Sequence, residues 1–191
     1  MKQNEIVKLG LILLTITAIT GLLLGGAYGI TKDPIEKQII KTNNEAMKET
    51  LQKADSFKKL DAPIEKGMVK EINEGLSGAK VVGYAIKVSS KGYAGPIEIM
   101  VGISNEGKVE GIKILSLSET PGLGANAVLP TFFGKYKDKA LDPPLEVVKT
   151  APSKPNEIQS MTGATITSKA VTLGVNEAIK VYKTQLKGGQ K

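Results

Sequence analysis

The sequence predicts an α+β protein in which a single N-terminal transmembrane helix precedes an antiparallel-sheet domain with flanking helices. Three observations predict it. Residues 9–30 contain no charged side chain, residues 81–115 hold short Val- and Ile-rich runs of period two, and the segments on either side of those runs space their apolar residues by three and four. The 191 residues suit one modest domain plus an anchor. A hydrophobic content of 41% with regular Gly and Pro punctuation is that of a chain with a packed core.

As a helix, residues 9–30 reach about 33 Å, enough for the hydrocarbon core of a bilayer. A secretory signal peptide has a shorter apolar region and a small-x-small cleavage site, to which Gly26-Ala27-Tyr28-Gly29 is the nearest approach. No Cys is present for lipoprotein modification. Residues 1–31 are therefore read as a cytoplasmic tip and an uncleaved anchor, with the rest of the chain on one side of the membrane. Lys2, Lys8 and the amino terminus precede the span, while Lys32 and Lys37, offset by Asp33 and Glu36, follow it. The positive-inside rule leans by that margin to a cytoplasmic N-terminus and an extracytoplasmic domain. A thiol-free domain fits that location too. Within the span, Thr17, Gly21, Gly25 and Gly29 recur every four residues. Such a ridge allows close packing against another transmembrane helix; the alternative is that the bilayer simply tolerates these glycines.

Asp33-Pro34 has the chemistry of an N-cap followed by Pro at the first helical position. Ile35, Ile39, Ile40, Met47, Leu51 and Ala54 then predict an amphipathic helix over 34–60, inside a connecting segment 32–62 that lays its apolar face on the sheet. A helix lying on the membrane surface is the alternative, disfavoured by nearly balanced charge. The main domain is expected over 63–191. Strands are predicted at 81–88, 97–103 and 109–115, with Ile97, Ile99, Val101 and Ile103 alternating against Glu98, Met100 and Gly102. Ser104-Asn105-Glu106-Gly107 has hairpin chemistry. A helix interrupted by Pro130 is predicted over 126–139, Pro143-Pro144 opens a loop or edge strand, and Pro152 and Pro155 keep the chain extended up to Glu157. Val171, Val175, Ala178, Ile179, Tyr182 and Leu186 mark a C-terminal amphipathic helix.

The absence of His and Cys removes the usual neutral-pH base, thiolate nucleophiles, disulfides, zinc knuckles and haem or iron-sulfur ligation, and no metal site is expected. The net charge of +7 comes from scattered lysines, and aromatic residues make up 4% of the chain, so no nucleic-acid partner is expected. Two segments carry the chemistry. In Ser160-Met161-Thr162-Gly163-Ala164-Thr165-Ile166-Thr167-Ser168, five hydroxyl residues crowd a turn directly before the C-terminal helix, with Thr167 or Ser168 as its N-cap. Free N–H groups and the helix dipole would suit a phosphate there, although Walker spacing is missing. The structural alternative is an ordinary hydroxyl-capped turn. In Ser118-Glu119-Thr120-Pro121-Gly122-Leu123-Gly124, the glycines flanking Leu123 would let a flat ligand approach the backbone, or the segment is a tight strand-to-helix connection.

Together the two segments resemble a known family. Thr162-Gly163-Ala164-Thr165, followed by Ile166-Thr167-Ser168, is similar to the Ser/Thr-Gly-Ala-Thr flavinylation motif of FMN-binding domains. Glu119-Thr120-Pro121-Gly122-Leu123-Gly124 is similar to their upstream loop. With one N-terminal anchor and this length, the whole chain resembles the G subunits of Rnf electron-transport complexes. The family usually has Asp three residues before the Ser/Thr, where this chain has Gln159.

The resemblance implies FMN held covalently through its phosphate by Thr165, with Thr162, Gly163, Ala164, Thr167, Ser168, Glu119, Thr120, Gly122, Leu123 and Gly124 around it. It implies an electron carrier, with no catalytic side chain of its own, in an inner-membrane complex moving electrons between ferredoxin and NAD with ion translocation. Its partners would be the other membrane, iron-sulfur and flavin subunits, and a flavin transferase. Without an adjacent base a threonine hydroxyl is a poor nucleophile, which is why a separate transferase is expected. Two alternatives stand beside this reading: the C subunit of a sodium-translocating NADH:quinone reductase, and an anchored extracytoplasmic domain binding a phosphate ligand without redox chemistry.

Overall fold

The computed structural model describes residues 3–60 and 67–187, which divide into two compact units, Met1–Thr42 and Asn43–Lys191. Helix α1 (Gln3–Thr50) makes up the first unit and continues into the second. Its apolar side chains from Leu9 to Ile30 are exposed, and among the described residues it is the helix long and apolar enough to cross a membrane. The hydroxyls of Thr15, Thr17, Thr20 and Thr31 donate to carbonyls four residues back at 2.8–3.0 Å, so each is satisfied within the helix.

The predicted helix over 34–60 fails at both ends. Asp33-Pro34 does not begin a helix, because Pro34 sits inside α1, which forgoes the hydrogen bond that Pro cannot donate and continues. Ile35, Ile39 and Ile40 are exposed. The helix ends at Thr50, and Leu51 and Ala54 are buried from a turn closed by Ala54 N–H donating to the Leu51 carbonyl at 3.1 Å. A turn repeats at about the spacing of a helix, so the apolar pattern does not separate them. The chain then enters a strand. The expected 62/63 domain boundary lies outside the described residues.

In the second unit, β1 (Ser56–Lys59), β2 (Val69–Ser77), β3 (Lys80–Lys91), β4 (Pro96–Ser104), β5 (Lys108–Ser116) and β6 (Lys139–Ala140) form an antiparallel sheet in chain order. The three predicted strands lie within β3, β4 and β5. Their expected hairpin forms with Gly107 at φ +81° and its N–H donating to the Ser104 carbonyl at 3.0 Å.

The alternation sorts the sheet into two faces. Ile86, Val88, Ile97, Ile99, Val101 and Ile103 are fully buried against α3 (Thr165–Val181), which contributes Val171, Val175, Ala178 and Ile179. A Cβ on Gly174 would stand 3.2 Å from both Ile99 and Val88, so the absence of a side chain there lets α3 seat closely. On the opposite face, Ala46 and Met47 of α1 pack on Ala85 and Met100. There the helix backbone meets the sheet directly: a Cβ on Gly102 would lie 2.0 Å from the Thr50 carbonyl oxygen.

The helix predicted over 126–139 is three shorter pieces: a 3-10 turn Gly124–Val128, α2 (Pro130–Phe133) and a 3-10 turn Gly134–Tyr136. Leu129 is extended before Pro130, as the pyrrolidine ring favours for its predecessor, and this starts a new turn rather than continuing the old one. After the prolines, β7 (Glu146–Val148) pairs in parallel with β8 (Glu157–Gln159). The loop between them is tied by the buried Glu157 carboxylate, which accepts from the Ser153 and Lys154 N–H groups at 2.7 and 3.2 Å.

Candidate functional site

Three connections meet beside the N-terminus of α3: the β3–β4 turn, the loop after β5 and the turn after β8. Glu119 holds them together. The residue is 7% exposed; its Oε1 accepts from the N–H groups of Tyr93 and Ala94 at 2.8 and 3.1 Å, and Oε2 accepts from the Thr167 hydroxyl at 2.6 Å. A buried carboxylate needs such donors. The space around it admits no other side chain, since a Cβ on Gly92 would lie 2.4 Å from Oε1 and one on Gly124 would lie 2.5 Å from Oε2.

The two motif segments also touch directly. Gly163 has φ +74°, which L side chains avoid, and a Cβ there would come 2.9 Å from Leu123 Cδ2. Gly122, at φ +77°, turns the other segment so that Leu123 faces the first. Between them lies a cleft of about 430 Å³ lined by Tyr93, Glu119, Thr120, Leu123, Gly124 and residues 163–167. Ser168 is buried behind it, and Thr162 lies exposed at the start of the turn. The sequence-derived site residues are thus gathered around one feature. The cleft wall is apolar where it meets solvent: Tyr93, Leu123 and Ile166 are 70%, 43% and 55% exposed.

The helix begins earlier than its hydroxyls suggested. Thr165 is the first residue of α3 and Ala164, which has no capping side chain, is the N-cap, so neither Thr167 nor Ser168 caps it. Both have other partners. Thr167 donates to Glu119, while Ser168 Oγ accepts from the Met161 N–H at 3.0 Å and donates to the Ala164 carbonyl at 2.9 Å, closing the 161–164 turn from inside. The half-buried Thr165 hydroxyl forms no hydrogen bond among the described residues, and as the first residue of the helix it stands among N–H groups that have no intrahelical acceptor.

Sequence reasoning missed three contributors. Tyr93 enters the cleft from the Gly92-Tyr93-Ala94-Gly95 turn, whose only sequence signal was a glycine pair between two strands. The Tyr136 hydroxyl, 2.7 Å from Thr172 Oγ1, continues a buried chain in which Thr172 donates to the Ser168 carbonyl at 3.0 Å; burial pushes the Tyr136 phenol well above its ordinary pKa of 10. Lys135 Nζ donates to the Gln159 carbonyl at 3.0 Å and places a cation beside the approach to the turn.

Residues 92–180 match the FMN-binding domain family. Over 90% of this chain and 89% of the other, the sequence is 41% identical to the G subunit of the proton-translocating ferredoxin:NAD(+) oxidoreductase complex of Clostridium ljungdahlii. It is 42% identical to the G subunit of the Na(+)-translocating ferredoxin:NAD(+) oxidoreductase complex of Acetobacterium woodii over 92% of this chain and 91% of that one. The fold is shared with the C subunit of the Na(+)-translocating NADH-quinone reductase of Parabacteroides distasonis, with a TM-score of 0.51 and 22% identity over 59% of this chain and 60% of that one.

Proposed function

Since the chain belongs to the G-subunit family of ion-translocating ferredoxin:NAD(+) oxidoreductase complexes, we propose that it carries electrons within such a complex through FMN joined by its phosphate to Thr165. The observation that carries the attachment is the state of that threonine. Its hydroxyl is without a protein partner among the described residues, at the first position of α3 and on the wall of the cleft.

The residues present fit FMN. A phosphodiester at Thr165 would keep a negative charge where first-turn N–H groups and the helix dipole favour it. The isoalloxazine would meet Leu123 and Ile166, whose exposed apolar surface supports a flat, largely apolar group. When bound, FMN supplies the reversible uptake and release of electrons. The chain's own residues position it. Glu119 fixes the β3–β4 turn against Thr167, Ser168 closes the turn that presents Thr165, and Gly163 lets that turn pass under Leu123.

Attachment falls to a separate flavin transferase. A threonine hydroxyl needs an adjacent base to become a nucleophile. The Glu119 carboxylate in the same cleft is committed to Tyr93, Ala94 and Thr167. The apolar part of α1 is read as a single membrane span with a cytoplasmic tip, and the sheet domain as extracytoplasmic, where a covalent tether prevents loss of a cofactor that has no local pool.

The test is Thr165→Val in cells that contain the transferase. Valine keeps the β-branched shape and deletes the hydroxyl, so the protein should fold and be recovered in normal amount while in-gel flavin fluorescence after denaturation disappears. Thr162→Val should weaken the signal without moving the site. Persisting fluorescence in Thr165→Val, with the flavin peptide mapped to another residue, would refute the attachment.

A further inference from the structure

We infer that Tyr93 is the aromatic wall of the flavin cleft, with its phenol ring in van der Waals contact with the isoalloxazine of FMN attached at Thr165. The inference rests on the attachment proposed above and assigns a contact residue that lies outside both sequence motifs.

Tyr93 differs from the other tyrosines of the sheet domain. Tyr84, Tyr136 and Tyr182 are 5%, 0% and 2% exposed, and each has a partner: Tyr84 and Tyr182 meet edge to face at 5.9 Å, and Tyr136 packs on Phe132 at 5.7 Å. Tyr93 is 70% exposed and meets no other aromatic ring among the described residues. A ring left in water beside an apolar cleft holds unspent burial energy, which a ligand covering it recovers.

The backbone beneath the ring is fixed. The N–H groups of Tyr93 and Ala94 both donate to Glu119 Oε1, and the Gly92 N–H donates to the Gly95 carbonyl at 2.8 Å, closing the turn on itself. Only the side-chain torsions of Tyr93 remain to be ordered on contact, so little conformational entropy opposes stacking. The same carboxylate holds Thr167, two residues after Thr165. Glu119 thereby sets the spacing between the aromatic wall and the attachment point. Leu123 and Ile166 supply aliphatic surface on the same cleft. A flat ring tethered at Thr165 therefore meets one aromatic and two aliphatic surfaces.

Flavin fluorescence reads this contact directly. A tyrosine touching a photoexcited flavin passes it one electron, which returns on recombination; emission is quenched and nothing is consumed. Phenylalanine has the same ring and does not give up that electron. The experiment measures time-resolved flavin fluorescence of the full-length flavinylated protein, native and urea-unfolded, for the wild type, Tyr93→Phe and, as a control, Tyr28→Phe. Tyr93→Phe should lengthen the mean native-state lifetime several-fold, with covalent flavin yield on a denaturing gel unchanged and no difference between the unfolded proteins. Tyr28→Phe should match the wild type. A native lifetime for Tyr93→Phe equal to the wild type, or lengthening in Tyr28→Phe instead, overturns the assignment of Tyr93 and leaves the attachment standing. A wild-type protein with no covalent flavin on the gel overturns both.

Discussion

Glu119→Gln should destabilise the sheet domain by about 2–3 kcal/mol, because it weakens all three bonds that join the cleft's connections. Each bond to the carboxylate is charge-assisted and contributes about 1.5–3 kcal/mol, against about 1 kcal/mol for a neutral one. Gln can still offer one oxygen to the Tyr93 and Ala94 N–H groups. It must then present its NH₂ to Thr167 Oγ1, the donor of the 2.6 Å bond, so that bond reverses or is lost. Little room is left for rearrangement, because the backbone at Gly92 and Gly124 runs so near the two carboxylate oxygens that neither position could carry a Cβ. With a urea slope of about 2 kcal/mol/M, the unfolding midpoint of the full-length chain, followed by circular dichroism in detergent, should fall by about 1–1.5 M. Thr167→Val removes the third bond alone and should cost about 1.5–3 kcal/mol. The two changes share that bond, so the double variant should be more stable than the sum of the singles predicts by about 1 kcal/mol. If the two effects add to within about 0.5 kcal/mol, Glu119 and Thr167 are not coupled and the staple between them does not exist.

Two further outcomes are expected. The N–H of Ser153 chiefly, with those of Lys154 and the Ser153 hydroxyl, holds the Glu157 carboxyl below its ordinary value of 4.5. Its contribution to stability is therefore present above pH 4.5 and is lost as the pH falls through the lower folded-state value. In urea titrations the midpoint gap between wild type and Glu157→Gln should be full at pH 6 and shrink below pH 4.5; a gap that stays constant into that acid range would show that Glu157 is not titrating against this loop. In the anchor, a Cβ at Gly25 would meet nothing within 4 Å, so Gly25→Leu should leave the fold of the chain itself undisturbed. If the glycine ridge seats a partner helix, co-purification of the complex should drop while covalent flavin is retained. Undiminished recovery of the complex would mean that the glycines are merely tolerated.

The central strands were legible because Ile97, Ile99, Val101 and Ile103 face one packed layer, and period two survives where one face is buried against a helix and the other is partly polar. β1 and β2 were not. Their Lys, Glu and Asn side chains alternate with few large apolar residues, and Gly75 replaces a side chain where Leu51 presses on the sheet. The turn that ends α1 was hidden because Met47, Leu51 and Ala54 keep helical spacing through it. At the site, the motif residues were legible as chemistry, but their division of labour was not. Thr167 and Ser168 look like caps in one dimension. They become a staple and a brace because Glu119 and Met161 approach from segments 48 and 7 residues away.

The sheet's strand order has a consequence for how the molecule is made. Every strand pairs with the one before it, β1 through β6, so each pairing needs only chain that has already been synthesised. The layer formed by the last turns of α1 is available earlier still. The proposed attachment point is different: Thr165 takes its place only when α3 docks across β3 and β4, and its surroundings draw on turns formed at widely separated times. A nascent chain ending before α3 holds every strand of the meander but lacks the helix terminus on which the proposed attachment depends. On the attachment proposed above, geometry therefore orders maturation, with cofactor loading following the synthesis and docking of α3.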